Sequence, residues 1–286
     1  MSHEYRLASC KLISDIELPE LSPWHEHATP TAVLRFRVGQ TAAIAGSKTY
    51  VIPAPRRIVI EDGIQVTIEP EDNGDMADTR ALLMGPVQAI LWHQRGLLPL
   101  HASAVSVKGV GVAVAGPSGV GKSTLAAALA GQGCAVLADD ISIVDPKTVT
   151  ILTGQRRLRL WRSALEHLRI SPDDLPRAIS RTEKFVLNKE GGPVPERQKL
   201  AHIILPIRNS GYGAELKLLR GSDAILALTD VVHALPAAHE LGLGPAIFQA
   251  LTQIQRTGVC VWRFFLPDDL AAIEGAALSL LTQLNV

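Results

Sequence analysis

The chain has 286 residues, about two domains at roughly 150 residues each, and its 47% hydrophobic and 20% charged content excludes an intrinsically disordered chain. Lys plus Arg and Asp plus Glu are 28 each, which excludes a generally basic nucleic-acid coat. Three scattered cysteines, Cys10, Cys134 and Cys260, exclude a disulfide scaffold or a CxxC zinc knuckle and fit a reducing, cytoplasmic compartment.

Met1 to Leu7 holds no apolar core of the kind a secretory signal needs, and no run reaches the ~20 apolar residues of a membrane span. A soluble, cytoplasmic protein is expected, with no membrane and no nucleic-acid partner. Residues 1 to about 76 read as mostly β. Val33–Val38 is one strand, and Arg56–Glu61 and Ile64–Glu69 flank Asp62-Gly63, a hairpin signal because a type I′ turn needs two residues tolerant of positive φ. His25 and His27 form an H-x-H that no further ligand completes, so a structural role is expected. The polar stretch Glu69–Asp75 marks a boundary. The expected division is a β-rich N-terminal domain over 1–78 and an α/β domain over 79–286.

Asp78 is expected to cap a helix over Thr79–Gln94 that buries a stripe of Leu82, Leu83, Val87, Ile90 and Leu91, with Gly85-Pro86 kinking or splitting it. From Leu98 short apolar strands alternate with helices, the pattern of an α/β layer. Gly109–Ala115 is a buried-strand run. It leads into Gly116-Pro117-Ser118-Gly119-Val120-Gly121-Lys122-Ser123, which fits G-x-x-x-x-G-K-[ST], and then into an Ala/Leu-rich helix. The glycines let successive backbone N–H groups face one phosphate chain, and the helix start adds partial positive charge there. A nucleoside triphosphate is expected to bind, with Lys122 on the β and γ phosphates and the Ser123 hydroxyl on Mg²⁺.

The next strand, Cys134–Ala138, runs into Asp139-Asp140, seventeen residues after Lys122. A right-handed crossover returns it parallel to the strand before the glycine loop, so both acids reach the carboxyl edge that holds the phosphates. One carboxylate can orient a metal while the other accepts a proton from an attacking hydroxyl. Further strands are expected at Phe185–Leu187, His202–Leu205, Glu215–Leu219 and Cys260–Phe265, and helices near 222–234, 239–256 and 268–284.

The run from Leu100-His101-Ala102 through the glycine loop to Ala138-Asp139-Asp140 resembles the catalytic domain of HPr kinase/phosphorylase, over roughly residues 100–140 and more softly to about 220. It is more loosely similar to the ATP-type phosphoenolpyruvate carboxykinases. The resemblance implies a P-loop kinase core of that type, ATP and Mg²⁺ as cofactors, and phosphorylation of a serine on a peptide or small protein. It implies that Asp139 is the base for the substrate serine, that Asp140 lies with Ser123 at the metal, and that His101 lies close to the transferred phosphate. HPr kinases are hexamers, so a homo-oligomer is implied too. Thr124, which completes the ATP-binding stretch, stands where that family carries a Glu after Lys-Ser, and its downstream glycine-rich signature is not recognisable. Gln155–Trp161 looks instead like the shorter HPr-kinase-related proteins encoded with ribosomally made peptides, the lasso-peptide systems among them. These kinases phosphorylate a serine of the precursor peptide.

The charge is unevenly spread: eight basic and twelve acidic residues over 1–80, fourteen basic and seven acidic over 150–220. Arg156, Arg157, Arg159, Arg162 and Arg169 form either a solvated face or a receptor for phosphate or carboxylate. Lys184, before a strand, and Arg208, after one, are candidates at the substrate. Gly191–Pro195 reads as a loop able to close over it. The expected activity is transfer of the ATP γ-phosphoryl group to a serine of a precursor-type peptide. Alternatives are an HPr-type kinase/phosphorylase or small-molecule kinase of the same fold, and a non-catalytic ATP-binding regulatory module.

Overall fold

A computed structural model describes residues 2–25, 29–40, 48–54, 56–70, 76–178, 182–189, 193–208 and 214–285. His27, the turn-rich residues 71–75 and the Gly191-Gly192 part of the expected loop lie outside the described residues. The chain gathers into two compact units, Met1–Pro99 with His233–Phe248, and Leu100–Val232 with Gln249–Val286. The division falls at 99/100, not at the expected 78/79, because the helical run after the first sheet packs on that sheet.

In the first unit, β1 (His3–Leu7), β2 (Cys10–Ser14), β3 (Val33–Val38), β4 (Thr49–Ile52), β5 (Ile58–Glu61) and β6 (Gln65–Ile68) form a sheet ordered β1-β2-β3-β6-β5-β4. β5 and β6 pair antiparallel across Asp62 (φ 52°) and Gly63 (φ 66°), both left-handed as the expected turn requires. A Cβ on Gly63 would meet Arg95 Cγ at 2.5 Å. That close approach lets the Gln94 Oε1 accept from the Gly63 N–H at 2.7 Å.

The helical run comprises α1 (Met76–Leu82), a wider π-type turn (Leu83–Val87) and α2 (Gln88–Gln94). Gly85, at φ −112° and ψ −108°, interrupts it where Gly-Pro was expected to. The run starts at Met76, so Asp78 lies in its first turn and is not its cap. Leu83, Val87, Ile90, Leu91 and Trp92 are buried, and Leu82 is half-buried.

The second unit takes most of β7 (Leu98–Val107), then β8 (Val110–Ala115), α3 (Lys122–Gly131), β9 (Ala135–Ala138), β10 (Ile141–Asp145), β11 (Thr150–Leu152), β12 (Arg157–Trp161) and α4 (Arg162–His167). β13 (Lys184–Asn188), β14 (Arg197–Arg208), β15 (Glu215–Leu219) and α5 (Gly221–Thr229) follow. α6 (Leu235–Glu240) belongs to the first unit, and α7 (Gly244–Arg256), β16 (Cys260–Leu266) and α8 (Ile273–Gln283) close the chain. The helix expected over 239–256 is thus divided at Gly242, whose φ is 73°. That expected over 222–234 stops at Thr229, and that over 268–284 opens with a short 3₁₀ turn, Leu270–Ala272.

The larger sheet runs β11-β10-β7-β8-β14-β16-β15, with β9 also on β7. It is mixed, since β7–β8 and β10–β11 are antiparallel pairs. β9 and β8 both run antiparallel to β7, so they share a direction with one strand between them. β12 and β13 form a separate two-stranded ribbon. Leu158, Leu160 and Phe185 on its inner face join Leu125 and Leu129 of α3 and Leu280 of α8 in the core. Among the described residues no helix is long and apolar enough to cross a membrane.

Two half-buried or buried histidines link this packing to pH. Burial holds His93 below its usual 6.5, its Nε2 lying 2.7 Å from the His233 carbonyl oxygen. Burial also lowers His202, whose Nδ1 accepts from the Trp262 indole N–H at 3.2 Å. Both take up a proton less readily in the fold than in the unfolded chain as pH falls through about 6.5, so acid favours unfolding. Urea midpoints are expected to fall from pH 7 to pH 5, by at most about 1.4 kcal/mol per pH unit for each group. A His93→Gln, His202→Gln double variant should flatten that fall, and an unchanged slope would refute the assignment.

Candidate active site

Register places five strand ends on one edge. Ala102 near the start of β7 pairs with Ala115 at the end of β8, and Ala104 pairs with Ala138 at the end of β9. β14 is parallel to β8, and its last residue, Arg208, pairs with Leu266 at the end of parallel β16. His101, the glycine loop, Asp139-Asp140 and Arg208, scattered over more than 100 residues of chain, therefore meet there.

The loop from Gly116 to Gly121 joins β8 to α3, and the Gly116 N–H donates to the His101 carbonyl at 3.1 Å. Gly121 has φ 103°, and a Cβ there would lie 3.1 Å from Arg208 Nη2, so only glycine lets the guanidinium come this close. Arg208 also donates to the Asp268 carbonyl at 2.9 Å. Lys122 is 6% exposed, and its ammonium donates to the Pro117 carbonyl at 2.9 Å. Burial draws its pKa down, against the pull of Asp140 and Asp139 and with the help of Lys184. An ammonium in that state favours an incoming anion, which offsets the cost of its burial.

The adjacent acids face different partners because Asp140 is left-handed, at φ 69°. Asp139 is 7% exposed and saturated with donors. Its Oδ1 accepts from the hydroxyls of Ser103 (2.5 Å) and Ser123 (2.8 Å), and its Oδ2 from the Arg159 N–H (2.9 Å). Asp140 opens on the cavity, with Oδ2 3.2 Å from Arg159 Nη1 and Oδ1 3.7 Å from His101 Nε2. His101 and Ser103 share one face of β7, being two residues apart, and so reach the two acids side by side.

Of the residues expected at the site, His101, Ser118, Gly119, Gly121, Lys122, Ser123, Thr124 and Asp140 line one cavity, and so do Lys184 and Arg208. Gly116, Pro117 and Val120 shape the loop without lining it, and Asp139 sits behind Ser123. Ser103, Trp161, Ser163, Ala164 and Leu270 were not anticipated, and Arg159 was expected only as one member of the arginine cluster. The strict alternation Arg-Leu-Arg-Leu-Trp over 157–161 is the signal that a strand would present Arg159 and Trp161 together.

The arginine cluster accordingly divides. Arg156 is buried and donates to the Val136 carbonyl, Arg159 faces the acids, and half-buried Arg162 pairs with Glu183. Among the described residues no group of three or more His, Cys, Asp or Glu could hold a metal by itself. Ser123 with Asp139 is a pair of hard oxygen donors, the set Mg²⁺ takes when phosphates complete its shell.

Comparison with known proteins bears on part of this arrangement. The family model described as the HPr serine kinase C-terminal domain matches residues 97–166, so an HPr-kinase-like segment carries β7, the glycine loop, both acids and β12. Comparison with curated proteins finds no match. Among solved structures, the Hpr(Ser) kinase/phosphatase from Coxiella burnetii aligns with a TM-score of 0.34 at 10% identity, covering 65% of this chain and 92% of that one.

Proposed function

We propose that the protein is an ATP-dependent serine kinase of HPr-kinase-like type, and that its acceptor is a serine of a peptide or small protein, a ribosomally made precursor peptide being the first candidate. The observation that carries this reading is the convergence of Lys122, Ser123 with Asp139, and Asp140 with His101 on one cavity. The match over residues 97–166 supports it.

Backbone N–H groups of 116–123 and the Lys122 ammonium bind the triphosphate and offset the charge that develops on it. Ser123 and Asp139 would hold Mg²⁺, which would neutralise phosphate charge there. Asp140 accepts the serine proton as the serine oxygen bonds to the γ phosphorus and the bond to the β,γ-bridging oxygen breaks, ADP leaving with that electron pair. His101 holds Asp140 in place. The reverse division, with Asp139 as base, is disfavoured because that carboxylate is buried, already accepts three hydrogen bonds and does not line the cavity. Arg208 at the loop adds positive charge, and Lys184 reaches the phosphates.

The test is incubation with γ-labelled ATP and three acceptors: serine-containing precursor-type peptides, an HPr protein, and small hydroxy compounds. Label on a peptide or protein serine is the expected result, with the acceptor that labels fastest naming the class. Label on none, despite ATP binding, would leave a nucleotide-binding module and overturn the kinase reading.

A further inference from the structure

Trp161 has no part in the phosphoryl transfer above, yet this large aromatic lies 49% exposed in the wall of the phosphate cavity. The β12–β13 ribbon puts it there. Alternate residues share a face, so Leu158 and Leu160 enter the core while Arg159 and Trp161 face the cavity. Lys184 pairs with Trp161 across the ribbon, and its ammonium lies 5.9 Å from the indole centroid. Among the described residues this ammonium has no carboxylate partner, which leaves it available to a phosphate.

Shape and charge point to the occupant: an exposed aromatic face beside an ammonium in a phosphate cavity suits a planar base carried on phosphates. Arg159 binds Asp140 and so marks the end where transfer occurs. Trp161 lies two residues on, about 6.6 Å farther along the strand, next to Ser163 and Leu270. In an in-line displacement the acceptor hydroxyl stands beyond the γ phosphorus, opposite the leaving group. Nucleoside and acceptor are thus on opposite sides of the transferred group.

We propose that Trp161 is the platform on which the nucleobase of the bound triphosphate stacks, with Lys184 on the phosphates below it. This rests on the reading of the loop as a phosphate site. The platform is sequence-tolerant between purines, whose larger π-faces stack better than a pyrimidine's.

The test compares wild type, Trp161→Leu and Trp161→Phe in titrations with ATP, GTP, CTP and inorganic tripolyphosphate, read by tryptophan emission and calorimetry. Trp24, Trp92 and Trp262 do not line the cavity, so the wild-type minus Trp161→Phe difference isolates position 161. ATP and GTP should quench that emission, with CTP binding more weakly and tripolyphosphate binding without quenching. Trp161→Leu should weaken ATP about tenfold and leave tripolyphosphate unchanged, and Trp161→Phe should restore most of the loss. Unaltered ATP affinity in Trp161→Leu, or a raised KM for the acceptor instead, overturns the platform alone. Failure of both ATP and tripolyphosphate to bind wild type overturns the phosphate site and the platform with it.

Discussion

Replacing Lys122 by methionine is expected to abolish detectable transfer, a loss of at least about 10²–10³-fold in turnover, without loss of the fold. The ammonium is 6% exposed, its one hydrogen bond goes to the Pro117 carbonyl, and burial already lowers its pKa. Its charge is thus held out of water at a cost that the folded chain alone does not recover. A methionine of similar length removes that cost, so stability should hold or rise by up to about 1 kcal/mol. ATP affinity should fall sharply. Urea midpoints beside ATP titrations check both halves, and a variant that loses stability along with activity would show that Lys122 is chiefly structural.

Asp140→Asn and Asp139→Asn are expected to fail in different ways. On the proposed mechanism the first removes the base, so turnover should fall about 10²–10⁴-fold with ATP affinity and stability close to wild type. Asparagine tolerates the left-handed backbone at position 140, which keeps the geometry. The second replaces a carboxylate that accepts three donors with an amide that accepts fewer, at about 1.5–3 kcal/mol for a charge-assisted bond. It also loosens Ser123, so its activity should require far more Mg²⁺. If Asp139→Asn proves stable, with wild-type Mg²⁺ dependence and a larger loss of turnover than Asp140→Asn, the base is Asp139.

The local grammar of the site was legible in the sequence. The glycine loop, the helix after it and the two acids are short-range signals, as is Asp62-Gly63 between its strands. The pairing of β9 with β7 was not, since it depends on which strand occupies the place beside β8, a long-range choice that periodicity does not encode. Ser103 escaped for the same reason: on β7 it is a small polar residue in an apolar run, and only the fold brings it to Asp139. Arg159 and Trp161 were readable in principle from their alternation with leucines. The density of arginines there fitted a solvated face and a phosphate or carboxylate receptor equally well, and charge counting could not choose between them. The different surroundings of the two acids follow from one backbone angle, which no residue pattern discloses.

That angle narrows what position 140 can become. Glycine and asparagine accept a left-handed backbone readily, and neither can act as a base. Valine or isoleucine there would strain the turn that sets the two acids apart. If the proposed kinase reading holds, a descendant released from the need to phosphorylate would therefore drift toward Gly or Asn at 140 while keeping the buried acid at 139 for its folding value. Such a chain would go on gripping nucleotide as a silent receptor, and a single residue would betray the change.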